Sequence, residues 1–354
     1  MVECSGRGSR ACLRSRAWSR LGPQQMALSE EQVEFFVENN WLKLEAAVPL
    51  SLCAEWVAAG CEENAIDLAD PASWPSRNNF ISAGLSGEMA ELAPKLYGSI
   101  VQLVGGAEKL REPSLQIDSG LVANWDRGAD APWVEPGFAN EWQWTSGGEC
   151  GGWHSDGDFN HFVDSPEAGL QVFILWGDVE YMAGPTYIAP ESPQHLTRVL
   201  LENPAGLSAC ALGGGAGMCA FCHLAPAVGA PFCCTRCERD ATAAGWTDGV
   251  PPPAVSGVPA DLELGVDREG SGLNLHGKTG SHNIQTHCEI SMPLVGAAGT
   301  AFLVHPQMLH TSSQNMLRKP RFMRNWQIPL KEPRPFLAGD VRARARAASE
   351  YRIG

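Results

Sequence analysis

Basic residues are scarce in this chain: 26 lysines and arginines face 40 acids, a formal charge of -14 over 354 residues. Most faces of such a molecule repel a phosphate backbone, so no nucleic-acid partner is expected. Long apolar runs are missing too. The strongest, VFILW at 172 to 176, is strand-sized and far below the roughly 20 residues that cross a bilayer, so no membrane span is expected. No internal repeat is visible, and the N-terminus carries no secretory apolar segment. Without that segment, twelve cysteines in a chain of this length do not read as a disulfide framework, and half of them crowd between 210 and 237. A reducing compartment, the cytoplasm, is expected. Residues 1 to 25 hold five arginines and Glu3 as their only acid. This composition has two readings, an extension upstream of an alternative start at Met26 or an organelle transit peptide.

What is present is an apolar fraction of 44%, enough to bury a substantial core. The stretch 28 to 44, LSEEQVEFFVENNWLKL, opens with a serine cap and acids in its first turn, with Val33, Phe36 and Val37 on one face. It reads as the start of a helix. Helical pattern returns at 51 to 66 and at 88 to 105, where a glycine pair suits a C-cap. From about 113 the texture becomes strand-like, with runs such as LQIDSGLVANW, GLQVFILWGDV, TYIAP, NIQTHCEISM, GTAFLVH and RFMRNWQIPL between Gly, Pro and Asn punctuation. The expected organisation is a leader over 1 to 25, a helical front over 26 to 112, and a β core over 113 to 205 and 281 to 336. A Gly/Pro/Cys-rich insertion covers 206 to 280 and a basic tail covers 337 to 354.

The chemistry concentrates at GGWHSDGDFNHF, 151 to 162. In a strand, residues i and i+2 project from one face, so His154 and Asp156 point together while Ser155 turns away. An imidazole and a carboxylate side by side suit a divalent transition metal, and a further histidine completes a facial set of two His and one carboxylate. Two candidates lie in GTAFLVHPQMLHTSSQN, 299 to 315. His305 ends an apolar strand, where a buried, hydrogen-bonded role is natural, whereas His310 precedes a polar run, and His310 is the favoured ligand. Arg321 opens the next strand, placed to grip a carboxylate with its guanidinium fork. Trp153, Phe159 and Phe162, with Trp142 and Trp144 before them, are candidate walls of a pocket or simply core. Asp158 and His161 are candidate partners that orient a ligand ring.

The motifs WHSDGD (153 to 158), FILWGDVEYMAGPTYIAPES (173 to 192) and LVHPQMLHTSSQN followed by Arg321 resemble, in order and spacing, the phytanoyl-CoA dioxygenase family of Fe(II)- and 2-oxoglutarate-dependent oxygenases. The likeness covers about 26 to 205 and 281 to 336. It implies a mainly β protein with a helical N-terminal part, built on a double-stranded β-helix, or jelly roll, with the metal at its mouth. It implies His154, Asp156 and His310 as iron ligands and Arg321 as the anchor for the distal carboxylate of 2-oxoglutarate, with Ser312 assisting. The implied reaction consumes 2-oxoglutarate and O2, releases succinate and CO2, and hydroxylates a C–H bond of a small or lipid-like organic molecule. Asp156 stands where halogenating relatives carry a small residue, which favours hydroxylation. The insertion departs from the family pattern, lengthening the interval between Asp156 and His310.

Within the insertion, Cys219, Cys222, Cys234 and Cys237 form two C-x2-C pairs. Two readings stand for them. Four thiolates close a tetrahedral zinc site, or the cysteines are incidental to a Gly/Ala/Pro-rich excursion. The 11 residues between the pairs fall short of the usual spacing and weigh toward the second. The alternative function is a catalytically silent jelly-roll binding protein whose insertion is a zinc-stabilised interaction module. Residue pattern leaves the oligomeric state open.

Overall fold

In the computed structural model, the described residues are 27–75, 79–125, 133–138, 153–156, 160–202, 207–208 and 287–332. The leader, the four insertion cysteines and the tail lie outside them.

The first helix, Glu30–Asn39, begins where the serine cap was expected. The Ser29 hydroxyl accepts from Gln32 N, the Gln32 side chain accepts from Ser29 N, and Asn40 ends the helix in the left-handed region. Such reciprocal capping satisfies donors that the first turn leaves without helical partners. The helical reading of 28 to 44 stops there, because Trp41–Leu44 is a strand, β1. Its four residues are too few to separate the two periods by pattern, and pairing with a distant strand decides the outcome. A second helix spans Leu50–Glu63 and buries Leu52, Cys53, Trp56 and Cys61. Pattern at 88 to 105 resolves into two helices, Met89–Leu92 and Pro94–Val104. Pro94 lacks an N–H and disfavours helical backbone at Ala93, which breaks the run. Gly105 then closes it at φ 84, and the N–H groups of Gly105 and Gly106 both reach Val101 O.

Twelve further strands follow among the described residues. They are β2 (Asn79–Ile81), β3 (Ser86–Glu88), β4 (Gln116–Asp118), β5 (Leu121–Asn124), β6 (Asn160–His161) and β7 (Leu170–Leu175). After them come β8 (Tyr187–Ala189), β9 (Leu207–Ser208), β10 (Met292–Pro293), β11 (Ala301–Val304), β12 (Leu309–Thr311) and β13 (Arg321–Ile328). A helix at Ser192–Glu202, absent from the sequence reading, follows β8. Six strands form one sheet in the order β1-β11-β7-β13-β5-β2, and three form a second in the order β10-β8-β12. Every pairing in both is antiparallel. The 26 to 112 front therefore also supplies both edge strands of the large sheet.

Alternation along the strands sorts the core into layers. Leu170, Val172, Ile174, Ala301, Leu303, Phe322 and Ile328 turn outward and share one apolar cluster with Trp56, Leu96 and Ile100 of the helices. Their neighbours Phe173, Leu175, Phe302, Val304 and Met323 turn inward and meet Ile188, Leu294 and Met308 from around the small sheet. Two sheets thus pack face to face over a common apolar layer, as antiparallel sandwiches do. A third cluster, with Trp153, Tyr187, Ala189, Leu196 and Leu309, backs the small sheet. Within the expected insertion, Leu207–Ser208 pairs with β6.

Candidate metal centre

His154 and His310 face each other across an isolated antiparallel bridge, with His154 N donating to His310 O at 3.0 Å and His310 N to His154 O at 2.8 Å. This bridge extends β12 onto the 153–156 segment and brings the two imidazoles to a centroid separation of 4.4 Å. Ile188 is the partner of His310 on β8 and belongs to the inner apolar layer, so His310 points into the space between the sheets. Two residues after His154, Asp156 projects the same way: its Oδ1 lies 3.6 Å from His154 Nε2 and 3.4 Å from His310 Nε2. The i, i+2 spacing works as expected. Ser155 turns to the other side, buried, with its hydroxyl on Pro306 O.

One ligand atom from each of His154, Asp156 and His310 lies within 4.8 Å of the other two, and among the described residues no other group of three or more such side chains converges. The buried His310 Nε2 makes no hydrogen bond, while Nδ1 of the same ring lies 3.3 Å from Met308 O. A carbonyl beside Nδ1 favours the tautomer that leaves the Nε2 lone pair available, the arrangement typical of metal-bound histidine. Two imidazole nitrogens and one carboxylate oxygen suit a divalent first-row metal, so the donor set fits. The other candidate, His305, is fully buried and its Nδ1 accepts from Gln307 N. It has a structural role and takes no part in the cluster.

Asp156 feels opposing forces. Burial raises its pKa, but the imidazoles of His310 and His154 that face it outweigh burial and hold the carboxyl well below its ordinary 3.8. A depressed folded-state pKa adds stability that is present above the unfolded value and disappears as pH falls through the folded one. Melting of the metal-free protein across about pH 6 to about pH 2.5 should therefore show a steeper acid loss for the native chain than for Asp156→Asn. Parallel acid limbs would remove the claim.

Arg321 is buried at the head of β13, opposite Asn124. Its Nε donates to Gly184 O at 2.8 Å and one terminal nitrogen to Val122 O at 3.2 Å. Gly184, at φ 73, sits in the Gly-Pro turn singled out in the sequence, and a Cβ there would collide with Asn124. The turn thereby brings a carbonyl to the guanidinium. Ser312 is half-buried two residues past His310. Trp153 is not a wall of the metal site. As the immediate neighbour of His154 it points to the opposite face, where it stacks on Phe138 and donates to Gly137 O. His161 is buried in β6, outside the donor cluster. Asp158, Phe159, Trp142 and Trp144 lie outside the described residues.

Sequence reasoning missed three amides. Gln171 on β7 and Asn325 on β13 each donate to Asp156 Oδ2 at 2.7 Å, and Gln327 donates to Asp156 O at 2.6 Å. The available signal was polar amides at inward positions of otherwise apolar strands, 325 and 327 being two apart.

No protein-family model and no curated protein sequence matches the chain. Among solved structures it is similar to the epimerase SnoN in complex with Fe3+, alpha ketoglutarate and nogalamycin RO, at 11% identity and TM-score 0.39, covering 84% of this chain and 81% of that one. It is also similar to EctD from S. alaskensis with bound Fe, at 17% identity and TM-score 0.37, covering 89% and 85%. A third is EvdO2 from Micromonospora carbonacea var. aurantiaca complexed with 2-oxoglutarate, at 12% identity and TM-score 0.38, covering 87% and 95%.

Proposed function

We propose that the chain is an Fe(II)- and 2-oxoglutarate-dependent dioxygenase of the phytanoyl-CoA dioxygenase type, with a jelly-roll core, that hydroxylates a C–H bond of a small or lipid-like organic substrate. The observation that carries this reading is the convergence of His154, Asp156 and His310 on one point beside the buried, unbonded Nε2 of His310. On this reading the three side chains hold the iron, and Met308 O orients the His310 ring. When bound, Fe(II) with 2-oxoglutarate and O2 supplies the oxidising chemistry, giving succinate, CO2 and a hydroxylated product.

The chain's own residues position the reactants and exclude water. Arg321, fixed by the carbonyls of Gly184 and Val122, offers a permanent positive charge in a low-dielectric interior to the distal carboxylate of 2-oxoglutarate. Ser312 adds a hydroxyl two residues past His310, just beyond the end of β12. Phe173, Ile188 and Met323, all in the inner apolar layer, keep bulk solvent from the site and strengthen the electrostatic interactions inside it.

The test is succinate formation from 2-oxoglutarate by the full chain with added Fe(II). Native protein is expected to turn over slowly without substrate, and Arg321→Ala to raise the KM for 2-oxoglutarate by ~30-fold or more, as expected when one partner of a buried charge pair is removed. No succinate from a folded, iron-loaded native sample would favour a silent binding protein instead.

A further inference from the structure

We propose that Gln171 and Asn325 are positioning residues that make Asp156 a one-oxygen ligand, locking Oδ2 to the large sheet and leaving Oδ1 for the metal. The proposal rests on the metal-site reading above and adds how the carboxylate is oriented. Register on the large sheet places the two amides. Gln171 pairs with Gln327 and Phe173 pairs with Asn325, so Gln171 and Asn325 are diagonal neighbours with their side chains on the inner face, close enough to reach one atom. Both do so, each at 2.7 Å from Oδ2. A carboxylate oxygen offers about two acceptor directions, and two N–H donors occupy them. Oδ1 alone then faces His154 Nε2 and His310 Nε2.

Two features argue for a role beyond packing. Gln171 is 2% exposed, and its Oε1 makes no hydrogen bond. An unbonded buried carbonyl is costly, and an apolar side chain would suit this layer of Phe173, Phe302 and Val304 better. What its Nε2 does for Asp156 Oδ2 offsets that cost. The donors are also neutral. A lysine or arginine in the same place would neutralise the carboxylate, whereas an amide orients it and leaves its full charge for a cation. Gln327, on Asp156 O, fixes the backbone beneath the ligand and completes the grip on this segment.

The test uses Co(II) as the probe on the full chain, with no 2-oxoglutarate present, following d–d absorption and affinity together. Gln171→Leu and Asn325→Leu are each expected to weaken Co(II) binding ~10- to 100-fold and to alter the spectrum as the released Oδ2 joins the coordination. The double variant should lose less than the product of the single losses, because both amides act on one oxygen. Asn325→Ser, which retains an O–H donor, should recover part of the loss. Native affinity and an unchanged spectrum in variants that melt cooperatively would overturn the proposal while leaving the metal site standing. Should a leucine variant fail to fold, Asn325→Ser against Asn325→Ala decides, with tighter binding by the serine variant expected and equal binding fatal. A native chain that does not bind Co(II) would sink the metal reading and this proposal with it.

Discussion

His310→Ala is expected to abolish Fe(II)-dependent 2-oxoglutarate turnover and to weaken metal binding beyond the ~100-fold typical of losing an orienting partner, while the protein still folds. The imidazole supplies the buried Nε2 that lies 3.4 Å from Asp156 Oδ1. Its backbone supplies both bonds of the bridge to His154, and alanine keeps those. His305→Ala is the informative contrast, since His305 is equally buried and its Nδ1 takes a hydrogen bond from Gln307 N. Losing that acceptor strands a buried N–H, at a cost of about 1 to 3 kcal/mol, with metal affinity near native in the folded fraction. Metal titration and urea unfolding of the two variants should give opposite profiles. If His305→Ala loses the metal and His310→Ala retains it, the ligand assignment is reversed.

Phe173→Ala is expected to carry the largest stability loss, about 3 to 5 kcal/mol, as for other large core aromatics cut to alanine. Phe173 is fully buried at the centre of β7, in the apolar layer shared by both sheets, and lies edge-on to the His310 ring with centroids 5.1 Å apart at 77°. That contact packs against the ring, so the same substitution should lower metal affinity as well. Phe173→Leu refills most of the volume and should recover most of the stability while lacking the aromatic edge contact. Urea denaturation with and without metal reads both effects. A loss below about 1 kcal/mol for the alanine variant would mean that the two sheets do not depend on this layer.

Much of this site was legible because its first requirement is local. His154 and Asp156 share a face because strands alternate, and Ser155 is turned away for the same reason. The capping box at Ser29 and Gln32 and the glycine closure at Gly105 are local as well, each satisfying backbone groups within a turn or two. Where local pattern was ambiguous, tertiary pairing won. The WLKL stretch after Asn40 fits a helix read in isolation, yet it forms the edge strand β1 against β11. Trp153 lies beside the ligands in sequence and behind the small sheet in space.

Residue types and their alternation were enough to nominate a two-histidine, one-carboxylate centre, an arginine for an organic acid, and a β-rich body to hold them. Register between strands far apart in the chain decided the rest. It brought His310 rather than His305 against His154, turned Asp156 Oδ1 toward the imidazoles, and set Gln171 and Asn325 on Oδ2. Alternation tells only which side of a strand a residue occupies. Which residue stands opposite depends on hydrogen-bonded pairing between segments that meet only after the chain has folded.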